Sequence, residues 1–360
     1  MPGVYISYPF CNQKCSFCNF ASGVFSAETR ERYHRTLREE IRVHAWDWAP
    51  ETVYFGGGTP SLMPVEFLRE LMNAVPQERL MEATLECAPG TITQENAVAW
   101  KMAGIDRVSL GVQSFVTAEL RQTGRRHTAE TVCRDIELLR NAGIANLNLD
   151  LIAGLPAQTA DSFAESLDWI GRLQPPHVSV YLFEVDEDSR LGREVLLGGV
   201  RYGASCVPSD DLMAELYEMA VQRLAAAGIE RYEISNFARA GFESRHNLKY
   251  WLLEPYVGFG LDAHSFDGSR RWSNPDTFEG YFAPSRLREV LASDPSEEHF
   301  FVGLRLLRGI EPTPEEWARF ASPISKHLRS GMLQCSGERL RLSDRGILLS
   351  NEVFQEFINA

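Results

Sequence analysis

The sequence predicts an α/β protein with a partial barrel or open sheet of parallel strands at its core. Short runs rich in Val, Ile, Tyr and Phe alternate with segments of helical periodicity through the first half of the chain. Strands that alternate with helices favour parallel pairing with right-handed crossovers. Six such strands are predicted, whereas eight strand–helix units close a barrel. The expected core is therefore a partial (β/α)6 barrel that stays open.

The elements of this core are read in chain order from the two periodicities. The predicted strands are Val4–Tyr8, Thr52–Phe55, Ala83–Cys87, Arg107–Val112, Leu147–Ile152 and Val178–Phe183. The predicted helices are Ala27–Trp46, Pro64–Val75, Gln94–Ala103, Ala129–Ala142 and Asp161–Leu173. Each helix lies between two strands, which is the order expected of βαβ units.

After about residue 186 the alternation ends, and we expect three domains: residues 1–186, 187–275 and 276–360. The second contains a Gly- and aromatic-rich stretch, and the third is mainly helical. Beyond the core, the predicted elements are a helix at Asp210–Ala227, a strand at Tyr232–Phe237, helices at Glu279–Ala292 and Glu298–Arg308, and a helix–hairpin–helix tail at Pro323–Ala360 with its hairpin at Leu333–Leu342. The tail pattern is typical of a winged helix.

Composition excludes one class of partner. The 360 residues are 44% hydrophobic, and 36 Lys and Arg are outnumbered by 49 Asp and Glu, for a net charge of −13. An acidic chain repels phosphate backbones and anionic lipids, so we expect no nucleic acid partner and at most peripheral membrane contact. One local basic cluster comprises Arg121, Arg125, Arg126 and His127.

Cysteine usage indicates a reducing compartment. There are seven cysteines, and four of them, Cys87, Cys133, Cys206 and Cys335, are scattered at irregular spacing, so no disulfide framework is visible. The N-terminus lacks the cationic start and apolar run of a signal peptide, and no stretch approaches the length of a membrane span. We therefore expect a cytoplasmic protein.

The other three cysteines, Cys11, Cys15 and Cys18, form the most informative motif. Three thiolates this close cannot all pair with one another, but they can bind one metal centre, and thiolate selects iron–sulfur clusters, zinc or copper(I). A four-iron cluster on three cysteines leaves one iron open for chemistry. Zinc would want a fourth ligand, and the i, i+4, i+7 spacing also allows simple packing on one helix face. Spacing favours the iron–sulfur site and leaves the other two open.

Unusual polar and glycine residues follow several predicted strands. The cysteine loop follows the first strand and Gly56–Pro60 follows the second, while Glu86, Gln113 and Asp150 end the next three. Ligands of parallel sheets and barrels gather at the carboxyl ends of the strands. The glycines could be a tight turn and the aspartate a helix cap, but their joint placement predicts one shared site.

These residues resemble the radical S-adenosylmethionine (SAM) enzymes. Cys11-x3-Cys15-x2-Cys18 is similar to their cluster signature, and further blocks are similar to one branch, the oxygen-independent coproporphyrinogen oxidase and its relatives. The matching blocks are Val53–Leu62, Ser109–Phe115, Gly124–His127 and Asn148–Pro156. The resemblance implies a TIM-like partial barrel with a 4Fe–4S cluster on the three cysteines. In the family, the reduced cluster cleaves SAM to methionine and a 5′-deoxyadenosyl radical.

The resemblance also implies a SAM pocket. Its glycines would let backbone carbonyls approach the methionine amino group, and its arginine would pair with the methionine carboxylate. Carboxylate and amide acceptors suit hydroxyl and ammonium donors around ribose and methionine. The matching positions are Tyr5, Gly57, Gly58, Thr59, Glu86, Gln113, Arg125, Asp150 and Ile152.

Two features resemble the heme-chaperone members of this branch rather than the decarboxylating oxidase. The oxidase typically has another cysteine where this chain has Phe20. The segment Arg245–Trp251 resembles a His-Asn-x-x-Tyr-Trp motif whose histidine, here His246, is associated with heme binding. Imidazole is a natural axial ligand of heme iron. The alternative from the residues alone is a buried histidine packed beside Tyr250 and Trp251.

Three functions follow as hypotheses: a heme chaperone that delivers heme to apoproteins, a radical SAM oxidase or methyltransferase that acts on a tetrapyrrole, and a structural zinc or cluster protein. The first two imply a flavodoxin- or ferredoxin-type reductant. The chain departs from the family at Ser7-Tyr8, where His-Ile is common, and at Cys87-Ala88, where Ala-Asn is frequent. These departures are compatible with a divergent member that has a different tetrapyrrole or a different task.

Overall fold

A computed structural model describes residues 2–284, 288–292 and 294–358. The strands are β1 (Gly3–Tyr8), β2 (Thr52–Gly57), β3 (Glu82–Cys87), β4 (Arg107–Gln113), β5 (Asn146–Ala153), β6 (His177–Leu182), β7 (Glu230–Arg231), β8 (Asn236–Ala238), β9 (Tyr256–Phe259), β10 (His264–Phe266), β11 (Arg271–Ser273), β12 (Glu289–Leu291), β13 (Leu333–Ser336) and β14 (Arg339–Leu342). The α-helices are α1 (Ala27–Arg42), α2 (Val65–Ala74), α3 (Gln94–Met102), α4 (Thr117–Gln122), α5 (Ala129–Asn141), α6 (Ala160–Leu173), α7 (Arg190–Leu196), α8 (Asp210–Ala226), α9 (Arg245–Trp251), α10 (Phe278–Tyr281), α11 (Pro295–Phe301), α12 (Pro314–Arg319), α13 (Ala321–Arg329), α14 (Asp344–Leu348) and α15 (Ser350–Phe354).

One sheet of twelve strands organises the chain, in the order β12-β11-β10-β9-β1-β2-β3-β4-β5-β6-β8-β7. The run from β9 to β6 is entirely parallel, and the outer strands on both sides pair antiparallel. Within the described residues the two edge strands, β12 and β7, do not pair with each other. The α/β partial barrel predicted from the sequence is therefore confirmed. The sequence did not predict β9 as a seventh parallel strand beside β1.

The strand side chains separate into an apolar outer face and a polar inner face. On β1, Val4, Ile6 and Tyr8 are fully buried in the main hydrophobic core, whereas Tyr5 and Ser7 border a cavity. Alternate residues of a strand point to opposite faces, so this division follows directly from the sequence pattern. The helices cover the apolar face, and the polar face is left for the interior of the partial barrel.

Three predicted elements beyond the core are wrong in detail. The expected helix Glu279–Ala292 is the short α10 followed by β12, which pairs with β11; residues 285–287 of that prediction lie outside the described residues. The expected strand Tyr232–Phe237 is replaced by the two short strands β7 and β8. The expected helix Glu298–Arg308 ends as α11 at Phe301 and continues in a 3-10 turn.

The C-terminal hairpin is confirmed. β13 and β14 pair antiparallel with Leu333 opposite Leu342, and Gly337 at the turn has a φ of 63°. A positive φ at this position suits glycine. Helices flank the hairpin on both sides, as the tail pattern predicts, while the division of the whole chain into three domains stays a prediction. Among the described residues, no helix is both long and apolar enough to cross a bilayer.

A buried carboxylate holds the β9–β10 connection against α1. Glu40 accepts hydrogen bonds from the Gly260 backbone N–H (3.0 Å), from Asn274 Nδ2 (2.7 Å) and from the Tyr281 hydroxyl (2.7 Å). The side chain of Glu40 is only 4% exposed. A buried carboxylate with several donors orders the backbone around it, and here it orders the turn that leads into β10.

We expect Glu40→Ala to lower the free energy of unfolding by about 2–3 kcal/mol, because the substitution leaves buried donors without an acceptor. Urea denaturation of the variant and the unchanged chain measures this difference. Glu39→Ala is the matched control, since Glu39 is an exposed neighbour on α1 and its loss should change stability by less than about 0.5 kcal/mol. Equal effects of the two substitutions would contradict the role of Glu40.

Candidate functional site at the strand ends

The loop that follows β1 is held in place by backbone hydrogen bonds. Cys11 N–H donates to Gly23 C=O at 2.8 Å, and Cys18 N–H donates to Cys15 C=O at 3.3 Å. Ser16 connects the loop to two other elements: its N–H donates to Thr123 at the end of α4, and its C=O accepts from Leu191 in α7. Neither α4 nor α7 was predicted from the sequence. Both contribute to the shape of the loop.

The three thiols are partly exposed and form no disulfide. Burial raises the pKa of Cys11, hydrogen bonds from Thr59 and Ser22 lower it, and the nearby charges of Cys18 and Cys15 raise it further. No three His, Cys, Asp or Glu side chains of the described residues are placed to hold one metal ion. In a four-iron cluster each thiolate binds a different iron. The assignment of Cys11, Cys15 and Cys18 as cluster ligands stays a prediction.

The segment Gly57–Thr59 lies directly against the cysteine loop. Gly58 N–H donates to Tyr8 C=O at 2.9 Å, and Thr59 N–H donates to Phe10 C=O at 3.0 Å. A Cβ atom on Gly58 would be 2.9 Å from Cys11 Sγ, closer than real Cβ contacts allow, and Gly57 has a φ of +108°. Glycine is therefore required at position 58 because Cys11 approaches so closely, and at position 57 because the backbone conformation there disfavours a side chain.

Two carboxylates, Glu86 and Asp150, point into the barrel interior. Glu86 accepts from the Tyr54 hydroxyl at 2.8 Å and from Gly57 N–H at 3.1 Å. Burial is the main cause that raises the pKa of Glu86 to about 7. Asp150 accepts from Ser109 Oγ at 3.1 Å and from Asn148 Nδ2 at 2.6 Å, and burial raises its pKa as well. The structure brings these two predicted residues into one polar interior.

Arg125 and Gln113 lie together at the end of β4. Arg125 donates from Nη1 to Gly111 C=O at 2.5 Å, while its buried Nε has no partner among the described residues. A Cβ atom on Gly111 would be 3.1 Å from Gln113 Nε2 and 3.6 Å from the Arg125 guanidinium. Gln113 has a φ of 68°, which is uncommon for a residue with a side chain. An arginine that lacks one partner in a partly buried place is available to an anionic ligand.

The remaining two predicted pocket residues occupy different surroundings. Tyr5 stacks on Tyr54 with ring centroids 6.1 Å apart, and it borders a cavity of about 340 Å³. Ile152 is buried in a second apolar cluster with Leu155, Phe183 and Leu191. Tyr54 was missed from the sequence, although its place on β2, opposite Tyr5, could have revealed an inward-facing ring.

His246 lies deep in the protein, with an exposed fraction of 1%. Its Nδ1 is 2.8 Å from Thr52 Oγ1 and its Nε2 is 2.8 Å from the Tyr250 hydroxyl. The ring also stacks on Tyr54, with centroids 5.0 Å apart, and burial lowers its pKa to about 3. The heme role of His246 stays a prediction. The structure shows both ring nitrogens of His246 within hydrogen-bond distance of a hydroxyl group.

The amino-acid sequence matches a known superfamily profile and is similar to named proteins along its whole length. Residues 5–170 match the Radical SAM superfamily profile. The chain is 33% identical to the protein named heme chaperone HemW of Bacillus subtilis, over 99% of each chain. It is 32% identical to heme chaperone HemW of Escherichia coli, over 99% of this chain and 97% of that protein.

A solved structure shares the whole fold. Coproporphyrinogen III oxidase (HemN) from Escherichia coli, described as a radical SAM enzyme, superposes with a TM-score of 0.83 at 20% identity, covering 99% of this chain and 90% of that one. At this identity the likeness concerns the fold alone. Sequence identity near one third over the full length is what places the chain among its relatives. The chain belongs to the HemW family of the radical SAM superfamily.

Proposed function

We propose that this protein binds heme and acts as a heme chaperone that inserts heme into apoproteins. The observation that supports this proposal is the full-length identity of 33% to a curated heme chaperone, with 99% of both chains aligned. Radical SAM membership implies a 4Fe–4S cluster and SAM. We assign the cluster to Cys11, Cys15 and Cys18.

The residues around the cysteine loop fit these two cofactors. A side chain at position 58 would clash with Cys11 Sγ. Because this residue is glycine, the backbone of Gly57–Thr59 lies directly beside the thiol. The unpartnered Arg125 Nε is a buried donor that an anionic group would satisfy. Soft thiolates suit the iron of a cluster. A guanidinium donor suits the carboxylate of a bound amino acid, and two carboxylate acceptors suit its ammonium group and the ribose hydroxyls.

When bound, the cluster and SAM supply one-electron cleavage of the SAM sulfonium. The residues of this chain would bind and orient them: the thiols would hold the cluster, Arg125 would pair with the methionine carboxylate, and Glu86 and Asp150 would accept hydrogen bonds from ribose hydroxyls and the ammonium group. Tyr5, Gln113 and Ile152 would complete the pocket wall. A reductant of the flavodoxin or ferredoxin type and apo-heme proteins are the proposed partners, and we place the protein in the cytoplasm.

One sample distinguishes the heme chaperone from an oxidase. Anaerobically reconstituted protein is expected to bind hemin at about one equivalent and to leave coproporphyrinogen III unconverted in the presence of SAM and dithionite. Absorbance titration and product chromatography measure the two properties in parallel. Conversion of coproporphyrinogen III, or no hemin binding by reconstituted protein, would contradict the proposal. SAM cleavage, measured as 5′-deoxyadenosine, separates both functions from a purely structural cluster.

We expect Cys15→Ala to abolish the visible absorbance of the reconstituted cluster, because two thiolates cannot replace three ligands of one cluster. Iron and sulfide analysis measures the loss as stoichiometry per chain. Cys133→Ala is the matched control, since Cys133 lies on α5 outside the cysteine loop. Near wild-type iron and sulfide in Cys15→Ala would show that the motif does not bind the cluster.

Glu86 makes a testable contribution to the pH dependence of stability. The folded chain raises its pKa from 4.5 to about 7, so between these values the folded chain binds more protons than the unfolded chain. The contribution of Glu86 to the free energy of unfolding is therefore greatest at low pH and falls as the pH rises through that window, with a slope of at most about 1.4 kcal/mol per pH unit. Glu86→Gln should flatten the profile of urea midpoints between about pH 4.5 and 7. An equal change in the exposed control Glu78→Gln would refute the assignment.

A further inference from the structure

We propose that a basic surface around the cysteine loop docks an acidic one-electron carrier of the flavodoxin or ferredoxin type. Four side chains form this surface, here named the basic rim: Lys14, Arg121, Arg126 and Arg190. The inference rests on the proposed function, in which such a carrier supplies electrons, and it assigns the place where the carrier binds. The observation behind it is a group of cations that meet at one loop and form no ion pairs among the described residues.

The first part of the basic rim is the segment that follows α4. Gln13 Nε2, in the cysteine loop, donates to Gly124 C=O, and Ser16 N–H donates to Thr123 C=O at 3.1 Å. The two rim arginines of this segment flank these acceptors in the chain, and both side chains are exposed. The backbone between them is bonded to the loop, and it therefore holds both cations beside the cysteines.

The second part of the basic rim comes from α7. Arg190 is the first residue of this helix, and its Nη2 donates to Lys14 C=O in the cysteine loop. The guanidinium carbon of Arg190 also lies 5.2 Å from the centroid of the Tyr202 ring. Leu191 N–H donates to Ser16 C=O at 2.8 Å. The loop that carries Lys14 is thus held between α7 and the segment after α4, with cations on both of these neighbours.

The charges of the basic rim are not neutralised by neighbouring carboxylates. None of its four side chains forms an ion pair within the part of the chain that the structure describes, and the Lys14 ammonium donates instead to Phe20 C=O at 3.1 Å. Other exposed arginines do form ion pairs, for example Arg38 with Glu70 at 2.6 Å. The whole chain has a net charge of −13. An acidic partner is therefore attracted to this face and repelled by the net charge of the rest, which steers its approach.

Acidic side chains adjoin the cysteine loop at its other end. The segment Glu184–Asp188 follows β6, and Asp186 accepts a hydrogen bond from Asn19 Nδ2 at 2.5 Å. Glu119 of α4 is only 2% exposed, so its carboxylate does not face solvent beside the rim. Glu194 of α7 is partly buried and forms no ion pair among the described residues. Opposite charges at the two ends of one loop favour a single orientation of a docked partner.

The position of the basic rim favours an electron carrier over a lipid surface. Lys14 directly precedes Cys15, and the thiols of the loop are partly exposed. A carrier bound at the rim brings its redox group close to these thiols, and electron transfer is faster over a shorter distance. The reduced carrier loses one electron, which the oxidised cluster held by the thiols gains, and no bond forms or breaks. A lipid surface would gain nothing from this proximity.

Binding of an oxidised flavodoxin to the full-length reconstituted protein tests the basic rim. We expect Arg121→Glu/Arg126→Glu to weaken binding by about tenfold or more at about 0.05 M salt, because attractive charge pairs become repulsive. Arg121→Gln/Arg126→Gln should lie between this variant and the unchanged protein. Arg329→Glu/Arg345→Glu is the matched control, since it makes the same change of net charge on exposed residues of the C-terminal tail and should alter the affinity by less than about twofold. Isothermal titration calorimetry measures the affinities, and added salt should weaken binding by the unchanged protein.

The rate of electron transfer is the second readout. Reduced flavodoxin should bleach the visible absorbance of the cluster about tenfold more slowly or worse in Arg121→Glu/Arg126→Glu, as measured by stopped flow. Reduction by dithionite needs no docking surface and should be unchanged, and the hemin titration should be unchanged as well. These two controls show that the variant is folded and holds its cluster.

The outcomes separate failure of the proposed function from failure of the docking surface. If the unchanged protein binds no hemin, the proposed function is wrong. If it binds hemin but neither a flavodoxin nor a 2Fe–2S ferredoxin, the function stands and the docking proposal is overturned. The docking proposal is overturned equally if Arg121→Glu/Arg126→Glu binds flavodoxin and is reduced by it like the unchanged protein. Loss of binding to phosphatidylglycerol vesicles in that variant, with flavodoxin binding intact, would assign the rim to lipid instead.

Discussion

The site depends on the parallel register of β1 and β2. Ser7 pairs with Gly56 and Tyr8 with Gly57, so the cysteine loop and the glycine segment leave the sheet side by side. The contact is so close that a Cβ atom on Gly58 would meet both the Pro9 carbonyl carbon and Cys11 Sγ within 3 Å. A shift of register by one residue would exchange the two faces of β1 and bring Val4 or Ile6 into the polar interior.

The same alternation makes the barrel interior polar without making it unstable. Both inward carboxylates accept a hydrogen bond from a neighbouring strand: Tyr54 donates to Glu86, and Ser109 donates to Asp150. Buried polar groups are costly unless they are paired. Because these carboxylates are paired within the protein, the hydrogen-bond network is stable before any cofactor binds. Arg125 differs from these carboxylates, since its Nε is buried without a hydrogen-bond partner among the described residues, as is the Nε of Arg107 on β4. The unmet donor of Arg125 lies at the position where the resemblance places an anionic ligand.

Local sequence determined what could be predicted. The six core strands begin within one residue of their predicted starts because alternation and turn residues are encoded nearby. The structure that depends on distant partners was missed or misjudged. β9 joins β1 across more than two hundred residues, and Val290 forms a strand because Trp272 pairs with it, although the local pattern predicts a helix. The α7 segment, which holds Ser16, is only seven residues long and was not predicted.

Two histidines show the same limit at the level of one side chain. The motif around His246 is local, but its burial comes from Thr52, 194 residues earlier in the chain. His264 has no comparable motif, and its exposure becomes visible only when β10 folds back along β9. Tyr250 connects the two places, because its hydroxyl lies 2.8 Å from His246 Nε2 and its side chain lines the cavity that His264 also borders. The accessibility of each histidine therefore depends on partners far along the chain, which the residues next to it do not encode.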